Sequence, residues 1–382
     1  MADGRVGGAS SSVGAAGSRP GGLTYAAAGV DIDAADRAVA AMGALVASTR
    51  TDGVVGDIGG FGGRFALPTG YREPLLVAST DGVGTKMAVA IALGRLDTVG
   101  IDLVAMCVDD LVCCGARPLF FLDYQLLGRV DPAQVSAVMT GIAEGCRQAG
   151  CAILGGELAE HPGLLRPGEL DVAGFAVGIV ERDAVLDGSA CRPGDVLIGL
   201  ASPGLRANGY SLARRALLDV AGRRLAGPAW DGAARTLGDE LLVPSVIYAP
   251  AVLALVASGI DVHAVAHITG GGLPGNLPRV LAFGVDAVIE TSSWEVPRIF
   301  TEIQAAGAVD DDEMARVFNL GIGMVVAVAP GAARPALDVL AGAGRPGVVI
   351  GELVTSEGRG SEGRGGGDRR SDVEGRRVHL RR

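Results

Sequence analysis

Lysine is almost absent from this chain: Lys86 is the only one in 382 residues, against 32 arginines. Most surface cation positions accept either residue. A lone lysine therefore marks either a compositional remnant or a place that needs a compact, strongly hydrated ammonium, such as a phosphate contact. Aromatic residues make up only 4% of the chain, while Gly, Ala, Val and Leu abound, which suits helices packed closely on mostly buried strands. The six cysteines, Cys107, Cys113, Cys114, Cys146, Cys151 and Cys191, have no paired metal-ligand spacing, and no apolar leader precedes the body of the chain. A reduced cytoplasmic protein is expected, with the vicinal Cys113 and Cys114 as small buried hydrophobes. No apolar run of about eighteen residues escapes interruption by charge or glycine, so no membrane span or membrane partner is expected. The net charge is −10, and the last 28 residues hold eight arginines against five acids, leaving the remainder near −13. An acidic body excludes non-specific nucleic-acid binding, and an anionic substrate must be held by local amides, metals or a few cations.

Residues 1–22 are Gly, Ala and Ser without apolar periodicity and read as a disordered arm. Residues 355–382 read as a Gly/Arg-rich flexible tail, with near-duplicated Ser-Glu-Gly-Arg-Gly units ahead of a short terminal Val378-His379-Leu380. The acids interleaved in that tail weigh against RNA binding. Between the two ends, apolar β-rich runs alternate with amphipathic helical ones, the pattern of an α/β protein. Helices are expected from an Asp33 cap to residue 50, at 98–114 and at 132–150, and strands at 74–80, 118–127, 151–154 and 171–181. After a Gly-Pro-polar stretch at 186–194, strands are expected at 195–200, 262–269, 286–290, 325–329 and 347–353. Residues 23–183 and 184–354 therefore read as two α/β domains meeting along a cleft.

Four glycine-rich stretches interrupt this alternation: Gly59-Gly60-Phe61-Gly62-Gly63, Asp81-Gly82-Val83-Gly84-Thr85-Lys86, Gly155-Gly156-Glu157 and His267-Ile268-Thr269-Gly270-Gly271-Gly272. Glycine at a strand end lets backbone amides approach an anion unobstructed. None of the four is a Walker loop or a dinucleotide fingerprint. Carboxylates accompany them: Asp81, the pair Asp109-Asp110, and Glu157. Hard oxygen ligands beside a phosphate-binding loop suit magnesium. For Asp109-Asp110, adjacency alone favours surface acids, because successive helical residues point about 100° apart. Of four histidines, His267 ends an apolar strand just before a glycine loop, where an imidazole can serve a phosphoryl oxygen or simply be structural.

Taken with Ala28-Gly29-Val30-Asp31-Ile32-Asp33, Gly100-Ile101-Asp102-Leu103-Val104-Ala105-Met106-Cys107-Val108, Pro118-Leu119-Phe120-Phe121-Leu122-Asp123-Tyr124, Gly141-Ile142-Ala143-Glu144-Gly145-Cys146, Asp171-Val172-Ala173-Gly174-Phe175, Asn208-Gly209-Tyr210-Ser211-Leu212 and Phe318-Asn319-Leu320-Gly321-Ile322-Gly323-Met324, these stretches resemble the phosphoribosylformylglycinamidine cyclo-ligases, or aminoimidazole ribonucleotide synthetases. They run in family order over residues 24–354.

The resemblance implies an ATP-dependent ring closure of formylglycinamidine ribonucleotide in purine biosynthesis. It implies a homodimer whose amino-terminal domains build a shared β-barrel, with the ATP site in the cleft. ATP would be bound by glycine-rich loops carrying Gly59, Gly60, Gly62, Gly82, Gly84, Thr85, Gly155 and Gly156. Magnesium would be held by Asp81 and Glu157 with Asp110 and Asp109 as further candidates; potassium is left open. Lys86 would balance phosphate charge, and His267 would stabilise or protonate the developing phosphate. Asn208 and Gly209 would line the ribonucleotide site, while Thr269, Gly270, Gly271 and Gly272 offer groups to an anion. Three positions depart from the family pattern: Asp109 for Asn, Ala207 for Ser and Leu158 for Thr. Hydroxyls lost at 207 and 158 would remove phosphate donors worth roughly 1.5–3 kcal/mol each, and so slow turnover. The alternative reading is a non-catalytic nucleotide-binding paralogue.

Overall fold

The computed structural model describes residues 24–57, 59–356 and 376–381. The arm expected at 1–22 and residues 357–375 of the expected tail lie outside the described residues. In the amino-terminal half, α1 (Ile32–Ala47) leads to a two-stranded hairpin, β1 (Val54–Val55) and β2 (Arg64–Phe65). Then follow β3 (Pro74–Gly82), α2 (Lys86–Leu93), α3 (Val99–Cys113), β4 (Arg117–Leu127), α4 (Pro132–Ala149), β5 (Ala152–Glu160) and β6 (Leu170–Glu181). Strands β3, β6, β4 and β5 form one sheet in that order, with β4 and β5 parallel and the other pairs antiparallel. Helix α3 lies across this sheet and α4 packs on α3. The cap of α1 is Asp31, whose Oδ1 accepts from Ala34 N at 3.0 Å. Asp33, the expected cap, instead places its charge in the first turn, where it meets the positive end of the helix dipole.

The second half runs through β7 (Val196–Ala201), α5 (Tyr210–Arg214), α6 (Leu237–Leu241), α7 (Ala249–Ala257), β8 (Val262–His267), α8 (Gly272–Asn276) and β9 (Val285–Glu290). It continues with α9 (Arg298–Gly307), α10 (Asp311–Val317), β10 (Ile322–Val328), α11 (Ala333–Gly342), β11 (Gly347–Thr355) and β12 (Val378–Arg381). The six strands pair in the order β12-β9-β11-β7-β10-β8, antiparallel except for β12 beside β9. Residues 378–381 are thus not flexible tail: among the described residues they close the sheet as its outermost strand.

The apolar core is continuous across the two halves. Val104 and Leu111 of α3 belong to the same buried cluster as Tyr248, Leu255 and Val326. A second cluster, with Leu197, Val325 and Ile350, fills the other face of the six-stranded sheet, and Val378 and Leu380 pack against it. Both are needed because β7, β8, β9 and β10 bury both of their faces.

Strand β5 does not stop at residue 154 but runs through Gly155, Gly156 and Glu157, paired with β4. Gly156 is therefore not part of a loop. It sits opposite Asp123, and a Cβ there would run into the Asp123 carboxylate. Asp123 is buried, with only Gln125 Nε2 donating to it from another side chain, at 2.8 Å. Burial pushes its carboxyl up to about 6. An unfolded-state value of about 3.9 lies below that, so the stability Asp123 contributes is complete below about pH 4 and is lost as pH rises through the folded value. Asp123→Asn should raise the melting temperature at neutral pH and flatten its decline from mildly acid to neutral pH. A thermal-melting series matching wild type across that range would show that Asp123 does not titrate in this window.

Candidate active site

Four elements converge on a polar cluster at the junction of the halves. Asp81 ends β3 on the face that meets α3, and its Oδ1 accepts from Gly82 N at 2.7 Å. Asp110, in the last turn of α3, accepts from Ser79 Oγ at 3.0 Å and lies 2.8 Å from His267 Nδ1. His267 ends β8, almost wholly buried, and its Nε2 lies 2.8 Å from Arg206 Nη2. A guanidinium only donates, so Nε2 accepts, and the ring proton sits on Nδ1, where it is donated to Asp110. His267 is thereby held at both ring nitrogens. This changes the expected role: with both nitrogens engaged and no open face, His267 orients Asp110 and has no proton aimed at the cleft.

Arg206 is the residue that sequence reasoning missed. It is 1% exposed and adopts φ 63°, a left-handed conformation that costs a non-glycine residue strain. Its guanidinium lies over the Tyr248 ring at 4.9 Å and donates to Val246 O at 2.9 Å and Asp109 Oδ2 at 2.9 Å. No pattern distinguished it among many arginines. The neighbouring carboxyls respond in opposite senses. Burial raises Asp81, and the nearby charge of Asp110 adds to the effect against the Gly82 amide. Burial would raise Asp110 too, but the hydrogen bonds from His267 and Ser79 prevail and hold it below the usual range.

The loop after Asp81 faces the first turn of α5: Thr85 Oγ1 and Ser211 Oγ are 3.1 Å apart. Asn208, Gly209, Gly270 and Gly271 border one cavity of about 890 Å³. The glycine loop is tied down by Asn276, whose Nδ2 donates to the carbonyls of Gly272 at 2.9 Å, Gly270 at 3.2 Å and Thr269 at 3.3 Å. Gly272 has φ +59°, and a Cβ there would strike Ala315 O, so no other residue fits.

Several predicted residues are placed elsewhere. Lys86 is fully buried and does not reach the cleft. Its Nζ lies 2.6 Å from Asp102 Oδ2 and donates to Val243 O at 2.8 Å and Arg206 O at 3.1 Å. Burial lowers its ammonium from the ordinary value, opposed by Asp102. Asp109 is fully buried as well, accepting from Tyr248 N at 2.8 Å and Ala249 N at 3.1 Å besides Arg206, so no oxygen is left for a metal. Glu157 is exposed, but the register puts Asp81, Gly174, Asp123 and Gly156 in one row across the sheet. Glu157 is the next residue and points to the opposite face, roughly 14 Å away by strand spacing. Among the described residues no three His, Cys, Asp or Glu side chains gather as a metal site. Gly59, Gly60 and Gly62 lie in the β1–β2 link with open space around them, beside a fully exposed Phe61, and do not approach the cluster. Leu158 packs against the core and Ala207 is itself buried, so the hydroxyls absent there are not missing from the cleft.

Lys86→Met would leave Asp102 buried without its counter-charge, and a stability loss of about 3–5 kcal/mol is expected in urea unfolding. Lys86→Arg would overpack the same space, costing about 1–3 kcal/mol. Combining Lys86→Met with Asp102→Asn should recover part of the loss. A Lys86→Met protein as stable as wild type would contradict the structural role.

The chain matches the families "AIR synthase related protein, N-terminal domain" over residues 70–180 and "AIR synthase related protein, C-terminal domain" over residues 192–362. It is 52% identical over 334 residues to the phosphoribosylformylglycinamidine cyclo-ligase of Sorangium cellulosum, covering 87% of this chain and 96% of that one. It is 51% identical over 338 residues to the enzyme of the same name from Myxococcus xanthus, covering 88% and 97%. Among solved structures it is similar in fold to thiamine-monophosphate kinase from Stenotrophomonas maltophilia, with TM-score 0.60, 20% identity, and coverage of 92% and 96%. It is likewise similar in fold to the hydrogenase maturation protein HypE in complex with ATP, with TM-score 0.59, 19% identity, and coverage of 81% and 84%.

Proposed function

The chain belongs to the phosphoribosylformylglycinamidine cyclo-ligase family, and from this we infer that it closes the imidazole ring of 5-aminoimidazole ribonucleotide at the expense of ATP. ATP phosphorylates the formamide oxygen of formylglycinamidine ribonucleotide, converting it into a leaving group. The ribosylated amidine nitrogen then attacks that carbon, releasing phosphate, with ADP as the other product. The carrying observation is identity of about half over nearly the whole length of curated relatives of that name.

The catalytic work assigned to the chain is positioning and charge neutralisation. Gly82, Gly84 and Thr85 would present amides and a hydroxyl to the ATP phosphates. Asp81 and Asp110, close together and only half-buried, fit the one or two carboxylates that magnesium takes beside phosphate oxygens and water. Magnesium, when bound, neutralises charge on the transferred phosphoryl group. His267 orients Asp110, and Arg206 fixes the tautomer of His267. Asn208, Gly209, Thr269, Gly270, Gly271 and Gly272 would hold the ribonucleotide. Purified protein should release ADP only when magnesium, ATP and formylglycinamidine ribonucleotide are all present, with aminoimidazole ribonucleotide accumulating in equal amount. Nucleotide binding without product would instead favour the non-catalytic paralogue.

The outer face of the four-stranded sheet supports a homodimer. Leu76 of β3, Phe175 of β6 and Tyr124 of β4 are 60%, 39% and 37% exposed, and the register places them on one face. A second copy laid on that face would bury them, as a shared barrel requires. Leu76→Glu should convert the dimer to monomer in sedimentation velocity; a wild-type protein that is already monomeric at micromolar concentration would remove this reading. Six free thiols agree with a reducing, cytoplasmic setting, and among the described residues no helix is long and apolar enough to cross a membrane.

A further inference from the structure

The cavity beside Asn208 has a volume of about 890 Å³, within the range of small-molecule sites. One side of it is backbone: Gly270 and Gly271 put no side chain between their amides and the cavity. Asn208 borders it on the same side, with its Nδ2 end toward Gly270.

The facing wall is the carboxy-terminal strand, through Val378, His379 and Leu380. Its backbone is half committed. Arg377 O accepts from Ala287 N at 2.8 Å and Arg377 N donates to Asp286 Oδ1 at 2.8 Å, so both groups of residue 377 point toward β9. The N–H and C=O of one residue leave a strand on the same side, and the side alternates from residue to residue. Those of Val378 and Leu380 therefore point away from β9, and among the described residues β12 is the outermost strand, with no further strand to meet them. The strand is held in place without them. Val378 and Leu380 side chains pack on the second core cluster, Thr291 Oγ1 donates to Arg381 O at 2.8 Å, and Arg376 Nη1 reaches Leu281 O at 3.0 Å.

We propose that β12 is a binding wall for the ribonucleotide: its outward amide at Val378 donates to the ribosyl phosphate, in the cavity that Asn208, Gly270 and Gly271 border from the opposite side. This assignment rests on the cyclo-ligase reading for the identity of the ligand, but its geometry does not. The wall is formed by residues that lie beyond the 357–375 segment in sequence and return to the cavity only through pairing with β9.

Val378→Pro removes one outward N–H without touching the pairing of β12 with β9, since proline is tolerated at a free-edge position, and it nearly preserves the side-chain volume. The KM for formylglycinamidine ribonucleotide should rise about tenfold, the effect of one hydrogen bond to a charged acceptor, with the KM for ATP changed less than about twofold and thermal melting close to wild type. Deletion of residues 376–382 should raise the ribonucleotide KM further. An unchanged ribonucleotide KM in both variants overturns the proposal, and so does an equal rise in both KM values, which would make β12 a support for the fold only. Wild-type protein that makes no aminoimidazole ribonucleotide would sink the cyclo-ligase reading instead. Calorimetric binding of ribose 5-phosphate to wild type and Val378→Pro would then still decide the wall: a tenfold difference supports it and equal affinity overturns it.

Discussion

Asp102 and Asp109 lie two turns apart on α3, both fully buried, and through them one helix of the first half holds the second half in place. Asp102 accepts from Ser245 N at 2.8 Å and Ser245 Oγ at 2.6 Å and pairs with Lys86. Asp109 accepts from the amides of Tyr248 and Ala249 and pairs with Arg206. Charges buried this deeply are costly unless every lone pair is met. Here amides, a hydroxyl and a guanidinium meet Asp102 Oδ1 and both oxygens of Asp109, while Asp102 Oδ2 has the Lys86 ammonium beside it as an ion pair, so most of the cost becomes a demand for one relative placement of the halves. Asp110, the next residue on α3, then meets His267, 157 residues away, at a fixed distance.

The four-stranded sheet separates two tasks by its pleat. Residues alternate between faces, so Asp81 is directed to the cluster under α3 while Leu76, Phe175, Tyr124 and Glu157 are directed outward. The polar cluster lies on the covered face, where a low dielectric strengthens hydrogen bonds and separates the tendencies of Asp81 and Asp110 to ionise. The open face is free for association. Site and proposed dimer surface can therefore share a sheet without competing for the same side chains.

Much of the fold was legible because it rests on periodicity. Alternating and helical apolar patterns located β3, β4, β6, α3 and α4 to within a few residues, and the glycine loops at 82–84 and 270–272 stood where strands end. The side chains were harder. Lys86 was singled out by rarity, yet rarity reports only that an ammonium is required, and a buried carboxylate with two carbonyls requires one as much as a phosphate does. Glu157 followed a glycine pair that looked like a loop; only strand register reveals which face a residue takes, and register is a property of the partner strand. Arg206 had no local mark, since its role arises from Asp109 and His267, far away in sequence. The strand at 378–381 was hidden because four residues carry little pattern and follow a stretch of glycine and arginine.

Asp109 and Arg206 should be understood together. Asp109 stands where the family pattern has Asn, and taken alone that exchange places an extra negative charge next to a presumed metal site. The buried pair gives it a different meaning. Arg206, 1% exposed, needs a counter-charge that Asn cannot supply, and Asp109 Oδ2 supplies it at 2.9 Å. The same Nη2 donates to His267 and holds its proton on Nδ1, directed at Asp110. The extra carboxylate thus has its oxygens taken up in permitting a buried arginine, and that arginine sets which ring nitrogen of the histidine faces the proposed magnesium ligand.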